Sequence, residues 1–311
     1  MATVTILISG ASGMIGTALV RAAEPRRISI LKLVRRAPEN PSEIQWAPDR
    51  GVPVSDPARL EGLSAVIHLS GANLSGRRWT PAYKGKIVDS RIESTRSLVK
   101  LLKSLSQPPQ AFLCASAVGI YGARGDEVLT EDSPPGQGFL AETCTAWEKE
   151  AAAARESGIR VVNLRFGVVL SRRDGALRKM LPLFRLGLGG KLGTGRQWMS
   201  WIALTDLVRA VFYLAESPEA AGPFNIVAPS PVTNAEFTRA LAHALHRPAL
   251  LPAPAFALRT AFGEMADEAL LASTRVAPDR LRRSGFSFVL PDIDYALRAI
   301  LAAHPAEQKM P

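Results

Sequence analysis

Gly10, Gly13 and Gly16 stand three residues apart, at the end of an apolar run from Thr3 to Ser9 and at the start of an apolar helical pattern that reaches Glu24. A strand, a tight glycine turn and a helix start are what a dinucleotide pyrophosphate requires. Gly10 permits the sharp turn, Gly13 lets the backbone approach phosphate, and Gly16 lets the helix pack close to the strand. Ser12 lies in the turn. Met14 and Ile15 open the helix, where free N–H groups and the positive dipole end favour an anion. The spacing is G-x-x-G-x-x-G. Arg35 and Arg36 directly follow a second apolar run, Ile28 to Val34, and no acid occurs until Glu39, past Pro38. Folds of this kind that prefer NAD place Asp or Glu there to hold the ribose 2′-hydroxyl. A carboxylate would repel a 2′-phosphate, whereas Arg35 can grip it with a charge-assisted fork, and Arg36 beside it is expected among the cofactor-binding residues. The residues therefore point to NADP(H).

The elements that must position these groups alternate as strand and helix. Ala65 to Ser70 reads as a parallel strand that ends in Gly71-Ala72, which sets Ser70, Gly71 and Ala72 beside the cofactor. His68, inside that run, reads as a packed strand residue. Glu43 to Trp46 is a short strand. Pro81 to Leu105 has helical spacing, Ala111 to Ala115 is a strand, and a long loop runs from Ala117 to Gly138. Phe139 to Ser157 is expected to be helix and Arg160 to Arg165 strand. The expected fold is α/β: a Rossmann, doubly wound parallel sheet over residues 1–170, with a smaller mixed α/β region over 171–311. A strand and helix near 205–230 return to the first domain.

Beyond Gly167, Pro182 and the glycines from Gly187 to Gly195 interrupt the pattern. Trp198 to Ile202 reads as extended, Thr205 as the cap of a helix to Ala215, and Phe224 to Val227 as a strand. Thr233-Asn234-Ala235-Glu236 is a capping box. The tail reads as helix around 255–273 and 292–303, with a short Phe286–Phe288 strand between them.

The chain has 311 residues, 47% hydrophobic, enough for one large domain or one with an appendage. No apolar run approaches the ~20 residues of a membrane span, and the opening reads as a strand, not a leader. Cys114 and Cys144 form no C-x-x-C, and His68, His243, His246 and His304 form no H-E-x-x-H. No metal site and no disulfide framework is expected, as suits the reducing cytoplasm. The net charge of +10 is spread along the chain without a long basic block. That spread disfavours nucleic acid and suits an anionic small-molecule ligand. A monomer or homodimer is expected.

Several runs resemble the extended short-chain dehydrogenase/reductase superfamily, and within it the atypical "epimerase family" branch with a small uncharacterised C-terminal domain. They are Gly10–Gly16, Leu69-Ser70-Gly71-Ala72-Asn73, Ser116–Gly122, Phe139-Leu140-Ala141-Glu142, Leu164–Leu170, Gly195–Trp201 and Gly263-Glu264-Met265-Ala266. The resemblance implies NADP(H) in the Rossmann domain, with Arg165 among the cofactor-binding residues, and a C-terminal region closing over the nicotinamide. On that side it would set Arg196, Trp198 and Trp201 toward a substrate. The superfamily's chemistry uses a Tyr, a Lys four residues later, a Ser and an Asn. Ser116 matches the serine, but no Tyr stands four before a Lys at the start of the 139 helix, and Arg91 occupies the Asn position. Tyr121 and Glu142 are then the candidates, with Ser116, for catalysis at the nicotinamide end. Two readings stay open: an atypical oxidoreductase or sugar-nucleotide epimerase-like enzyme, or an NADP(H)-binding sensor or scaffold without turnover.

Overall fold

A computed structural model describes residues 4–302. Thr3, His304 and the last residue of the expected 292–303 helix lie outside them. The strands are β1 (Thr5–Ser9), β2 (Ser29–Val34), β3 (Glu43–Gln45), β4 (Ala65–His68), β5 (Ala111–Ala117), β6 (Val128–Leu129), β7 (Arg160–Phe166), β8 (Val168–Leu170), β9 (Trp198–Met199), β10 (Trp201–Ala203), β11 (Gly222–Ile226), β12 (Val232–Thr233) and β13 (Arg275–Val276). The helices are α1 (Met14–Ala23), α2 (Pro81–Lys103), α3 (Phe139–Ala152), α4 (Gly175–Arg185), α5 (Leu204–Glu216), α6 (Asn234–Leu245), α7 (Ala255–Phe262), α8 (Asp279–Arg283) and α9 (Ile293–Ala302).

The main sheet has seven strands in the order β11-β7-β5-β4-β1-β2-β3. β1 pairs in parallel with β2 on one side and β4 on the other, with Ser9 opposite both Leu33 and His68. Strand order thus reverses at β1, and a doubly wound sheet binds its ligand in the crevice at such a reversal. Apolar, β-branched runs make these strands because both sheet faces are covered; Ile6, Leu7, Ile8, Val66 and Ile67 are fully buried. α2 buries Ile87, Ser94, Thr95, Leu98, Val99 and Leu102 on one face, and Thr80 caps it by accepting from Tyr83 N.

The chain forms two compact units. One comprises the chain up to Ser116 with Thr143–Leu164 and Val211–Pro223; the other comprises Ala117–Glu142, Arg165–Ala210 and the chain from Phe224 onward. The chain thus passes between the units several times, and residues 211–223 group with the first unit. The second unit has its own core, in which Leu177, Leu181 and Phe184 of α4 meet Trp201, Phe237, Leu241, Leu297 and Ile300.

The local readings need four corrections. α4 forms despite Pro182, because its apolar residues keep helical spacing and bury together. Phe286–Phe288 is not a strand; the two rings pack edge to face at 5.0 Å. Thr205 lies inside α5, which starts at Leu204. The 255–273 segment splits into α7 and a single π-helical turn, Ala266–Leu270. The capping box at Thr233 and Glu236 forms with both reciprocal bonds.

His68 is fully buried in the first unit, with its ring nitrogens hydrogen-bonded to Ser9 Oγ (2.6 Å) and Ser94 Oγ (3.3 Å). Trp46 and Phe112 flank the ring. Burial lowers its pKa from 6.5 to about 3. The folded state therefore refuses a proton that the unfolded state accepts below pH 6.5. Stability is fully present above that pH and falls as pH drops from 6.5 toward 3, by up to ~1.4 kcal/mol per pH unit. The melting temperature should fall between pH 7 and pH 5, and His68→Gln should flatten that fall. Equal slopes in the two proteins would refute this assignment.

Candidate functional site

The glycine turn sits between β1 and α1 in the first unit. Gly10 adopts φ +73°, and a Cβ there would lie 2.9 Å from the Leu69 carbonyl. A Cβ on Gly16 would lie 2.3 Å from Gly10 O and 2.6 Å from Ala11 Cα. Both glycines are thus required by the protein's own backbone. Gly13 differs: its φ is −76°, and a Cβ would meet nothing closer than Gly10 O at 3.4 Å. Nothing in the protein itself demands glycine at that exposed position. No side chain caps α1, and its first turn holds no acid. Exposed Ser12 and partly buried Met14 and Ile15 complete a backbone cradle of the kind that takes an anion.

The end of β2 separates the two arginines. Arg36 donates from Nη1 and Nη2 to the two oxygens of the Glu43 carboxylate, at 2.8 and 3.2 Å. These bonds, the Glu39 N–H and Lys32 hold the Glu43 carboxyl well down, at about 2. Arg36 therefore fastens its own loop, with its side chain still half exposed. Arg35 is 74% exposed and, among the described residues, reaches only Asp49, itself half exposed, at 4.0 Å. An exposed pair at that distance holds it weakly.

After β4, the Ala72 N–H donates to Ser90 Oγ of α2 (2.8 Å), and Arg91 Nη2 donates to Ala72 O (3.1 Å). Gly71 is exposed and Ser70 partly buried. At the end of β5, buried Ser116 donates from Oγ to Glu148 Oε1 of α3 at 2.7 Å. Glu148 is a partner that the sequence reading missed. It lies in mid-helix, 32 residues from Ser116, and no local pattern marks it. Cys114, on the same strand, is fully buried, and burial pushes its thiol up.

In the second unit, Tyr121 is fully buried. Its hydroxyl donates to Asn225 Oδ1 (2.7 Å) and accepts from Arg165 Nη1 (2.8 Å), and the Arg165 guanidinium also lies over its ring. Burial pushes the Tyr121 pKa up, partly opposed by Arg165. Glu131 accepts from Asn225 N and is likewise pushed up by burial. Tyr121 and Arg165, expected at the nicotinamide end and the cofactor, are thus engaged in one buried network. Glu142 is exposed in the first turn of α3. The N-terminus of that helix is served by Glu268, whose carboxylate accepts from Leu140 N at 3.1 Å.

Of the residues expected on the substrate side, Arg196 is exposed. Trp198 donates to Asp126 Oδ1 (2.7 Å) under the Arg275 guanidinium. Trp201 is a correction: it is fully buried in the core and donates to Ser230 O. Among the described residues no group of three or more His, Cys, Asp or Glu could hold a metal, and no helix is long and apolar enough to cross a membrane.

A parallel sheet with a glycine turn at its reversal defines a Rossmann-type nucleotide-binding fold. The model of the NAD dependent epimerase/dehydratase family matches residues 6–227, and a domain of unknown function (DUF1731) matches residues 253–300. The chain belongs to the NAD dependent epimerase/dehydratase family. It is 46% identical over 288 residues to an epimerase family protein of Mycobacterium tuberculosis, covering 93% of this chain and 94% of the relative. The structure of human epimerase family protein SDR39U1 with NADPH superposes with a TM-score of 0.87 at 34% identity, covering 96% of this chain and 99% of that one. A nucleoside-diphosphate sugar epimerase from Corynebacterium glutamicum superposes with a TM-score of 0.78 at 34% identity; this chain spans 98% of itself and 60% of that protein.

Proposed function

We propose that this protein binds NADP(H) and acts as an atypical short-chain dehydrogenase/reductase, either an oxidoreductase or a sugar-nucleotide epimerase-like enzyme, on an anionic small molecule in the cytoplasm. The observation that carries the cofactor reading is Gly13, a glycine its own fold does not require, at the uncapped start of α1. The exposed Arg35 supports the 2′-phosphate, as does the NADPH in the human relative's structure. Gly10, Ser12, Gly13, Met14, Ile15 and Gly16 form the pyrophosphate cradle, with Ser70, Gly71 and Ala72 alongside. When bound, the nicotinamide supplies hydride chemistry.

For the proton, Ser116 and Glu148 are the best-supported pair. A serine hydroxyl 2.7 Å from a carboxylate is held in a fixed donor orientation and can pass a proton. Exposed Glu142 remains a second acid/base candidate. Arg196 and Trp198 are retained for the substrate side.

Burial of the Tyr121 hydroxyl favours the second reading, a sensor or scaffold that binds NADP(H) without turnover. Following NADPH oxidation against a panel of anionic carbonyl compounds, and the formation of epimerised product from sugar nucleotides with the oxidised cofactor bound, separates the two. Turnover that falls about a hundredfold or more in Ser116→Ala, within the range for loss of a proton-transfer group, with NADPH affinity unchanged, supports the enzyme. Tight NADPH binding with no turnover on any compound supports the sensor.

A further inference from the structure

The second unit gathers leucines at its surface where two segments of chain run side by side. α4 ends at Arg185, and Leu186, Gly187 and Leu188 follow it. Leu188 N donates back to Leu183 O (2.9 Å), and Leu188 forms an antiparallel bridge with Ala249. Leu251 N donates to Gly189 O (3.2 Å), and Arg247 Nε donates to Arg185 O (3.1 Å). These bonds hold Leu183, Leu186, Leu188, Leu250 and Leu251 on neighbouring stretches of backbone. α4 turns Leu177, Leu181 and Phe184 into the core, but these five leucines are all exposed, Leu186 at 71% and Leu250 at 78%. Phe256, 72% exposed, stands at the start of α7. Single apolar side chains are ordinary on a surface, whereas several large ones on adjoining backbone mark a contact site.

The charge around them has one sign. Residues 175–205 hold five Lys and Arg and no acid, and residues 237–263 hold three and no acid, although the chain has 28 Asp and Glu in all. All eight cations are exposed. Arg178 and Arg259 pair with acids that lie just outside the two segments, at 3.6 and 2.9 Å. Among the described residues, Arg185, Lys191 and Arg247 pair with none. The fold thus sets much of the net charge of +10 around one group of leucines.

That composition selects the occupant. A second copy of the chain would bring the same positive charge against this face, and like charges repel. Protein interfaces draw their binding energy mainly from Trp, Tyr and Arg, with Leu under-represented. Leu and Phe set among Lys and Arg suit the boundary of an anionic bilayer, where apolar side chains enter the acyl region and cations meet lipid phosphates.

We propose that this face docks reversibly on an anionic lipid surface, with Leu186, Leu250 and Leu251 inserted and Arg185, Lys191 and Arg247 against the headgroup phosphates. Docking of this kind lies on the bilayer and requires no spanning helix, and among the described residues there is none. It does not depend on the nucleotide reading, because none of these residues belongs to the glycine turn or to the Ser116 site.

The test is flotation of the full chain with vesicles of phosphatidylcholine alone and with vesicles of equal parts phosphatidylcholine and phosphatidylglycerol. Wild type should float with the anionic vesicles at low salt and be released as salt rises. Arg185→Gln combined with Lys191→Gln should weaken this binding about tenfold or more, since each cation near such a surface contributes about fivefold. Leu186→Ser combined with Leu250→Ser should also weaken it about tenfold or more. Circular dichroism checks folding, and if the leucine variant does not fold, the charge variant decides. Wild type that fails to float with the anionic vesicles overturns the proposal and turns the assignment to an acidic protein partner. Flotation that both folded variants share equally with wild type overturns it too. Sedimentation that finds a wild-type dimer and a monomeric leucine variant would seat a second copy on this face and overturn it as well.

Discussion

Gly13→Ala should leave the protein folded and weaken NADPH binding by about ten- to a hundredfold, equivalent to ~1.4–2.8 kcal/mol. Gly16→Ala should instead cost fold stability. The contrast follows from what each new methyl would meet. At Gly16 it would lie 2.3 Å from Gly10 O and 2.6 Å from Ala11 Cα, both backbone atoms, so either the turn or α1 must move. Overpacking of this kind costs about 1–3 kcal/mol. At Gly13 the methyl would stand 3.4 Å from Gly10 O, an ordinary contact, with φ at −76°. Only the lesser quality of alanine as an N-cap counts against it, roughly 1 kcal/mol or less. The methyl would then project where the pyrophosphate must come close. Melting curves and NADPH titrations of both variants check this. Full NADPH affinity in Gly13→Ala would remove the main support for the cradle.

Arg35→Asp should shift the ratio of NADPH to NADH affinity by about a hundredfold or more. It removes a charge-assisted bond to the 2′-phosphate, worth about 1.5–3 kcal/mol, and adds a repelling carboxylate. The new acid would also suit the 2′-hydroxyl of NADH. Little fold stability is at stake, because Arg35 is 74% exposed and its pair with Asp49 is 4.0 Å long. Arg36 serves as the internal control. Its fork grips buried Glu43, so Arg36→Ala should lower stability and leave the nucleotide preference unchanged. Paired titrations of the two variants check this, and an unchanged ratio in Arg35→Asp would remove the case for NADP specificity.

What the sequence reveals here divides by range. The turn at Gly10, Gly13 and Gly16 and the box at Thr233 and Glu236 are local, so residue type and spacing nearly define their geometry. The alternation of strands and helices follows from buried apolar runs separated by segments of helical spacing. The candidate site is less legible, because its bonds are distant in sequence. Tyr121 reads as a pocket residue until Arg165 and Asn225, 44 and 104 positions away, take its hydroxyl. Ser116 reads correctly as a strand-end hydroxyl, yet its carboxylate partner lies a helix away at Glu148. Trp198 and Trp201 look alike in one extended run, but the break between β9 and β10 sends only Trp201 into the core. Adjacent Arg35 and Arg36 differ only because β3 brings Glu43 beside one of them.

The most direct measurement is a calorimetric titration of the purified protein with NADPH and with NADH. Saturable binding of NADPH, one per chain and at least tenfold tighter than NADH, is the predicted result. Binding of neither nucleotide would contradict the assignment of the glycine turn, and equal affinity for both would contradict the role given to Arg35.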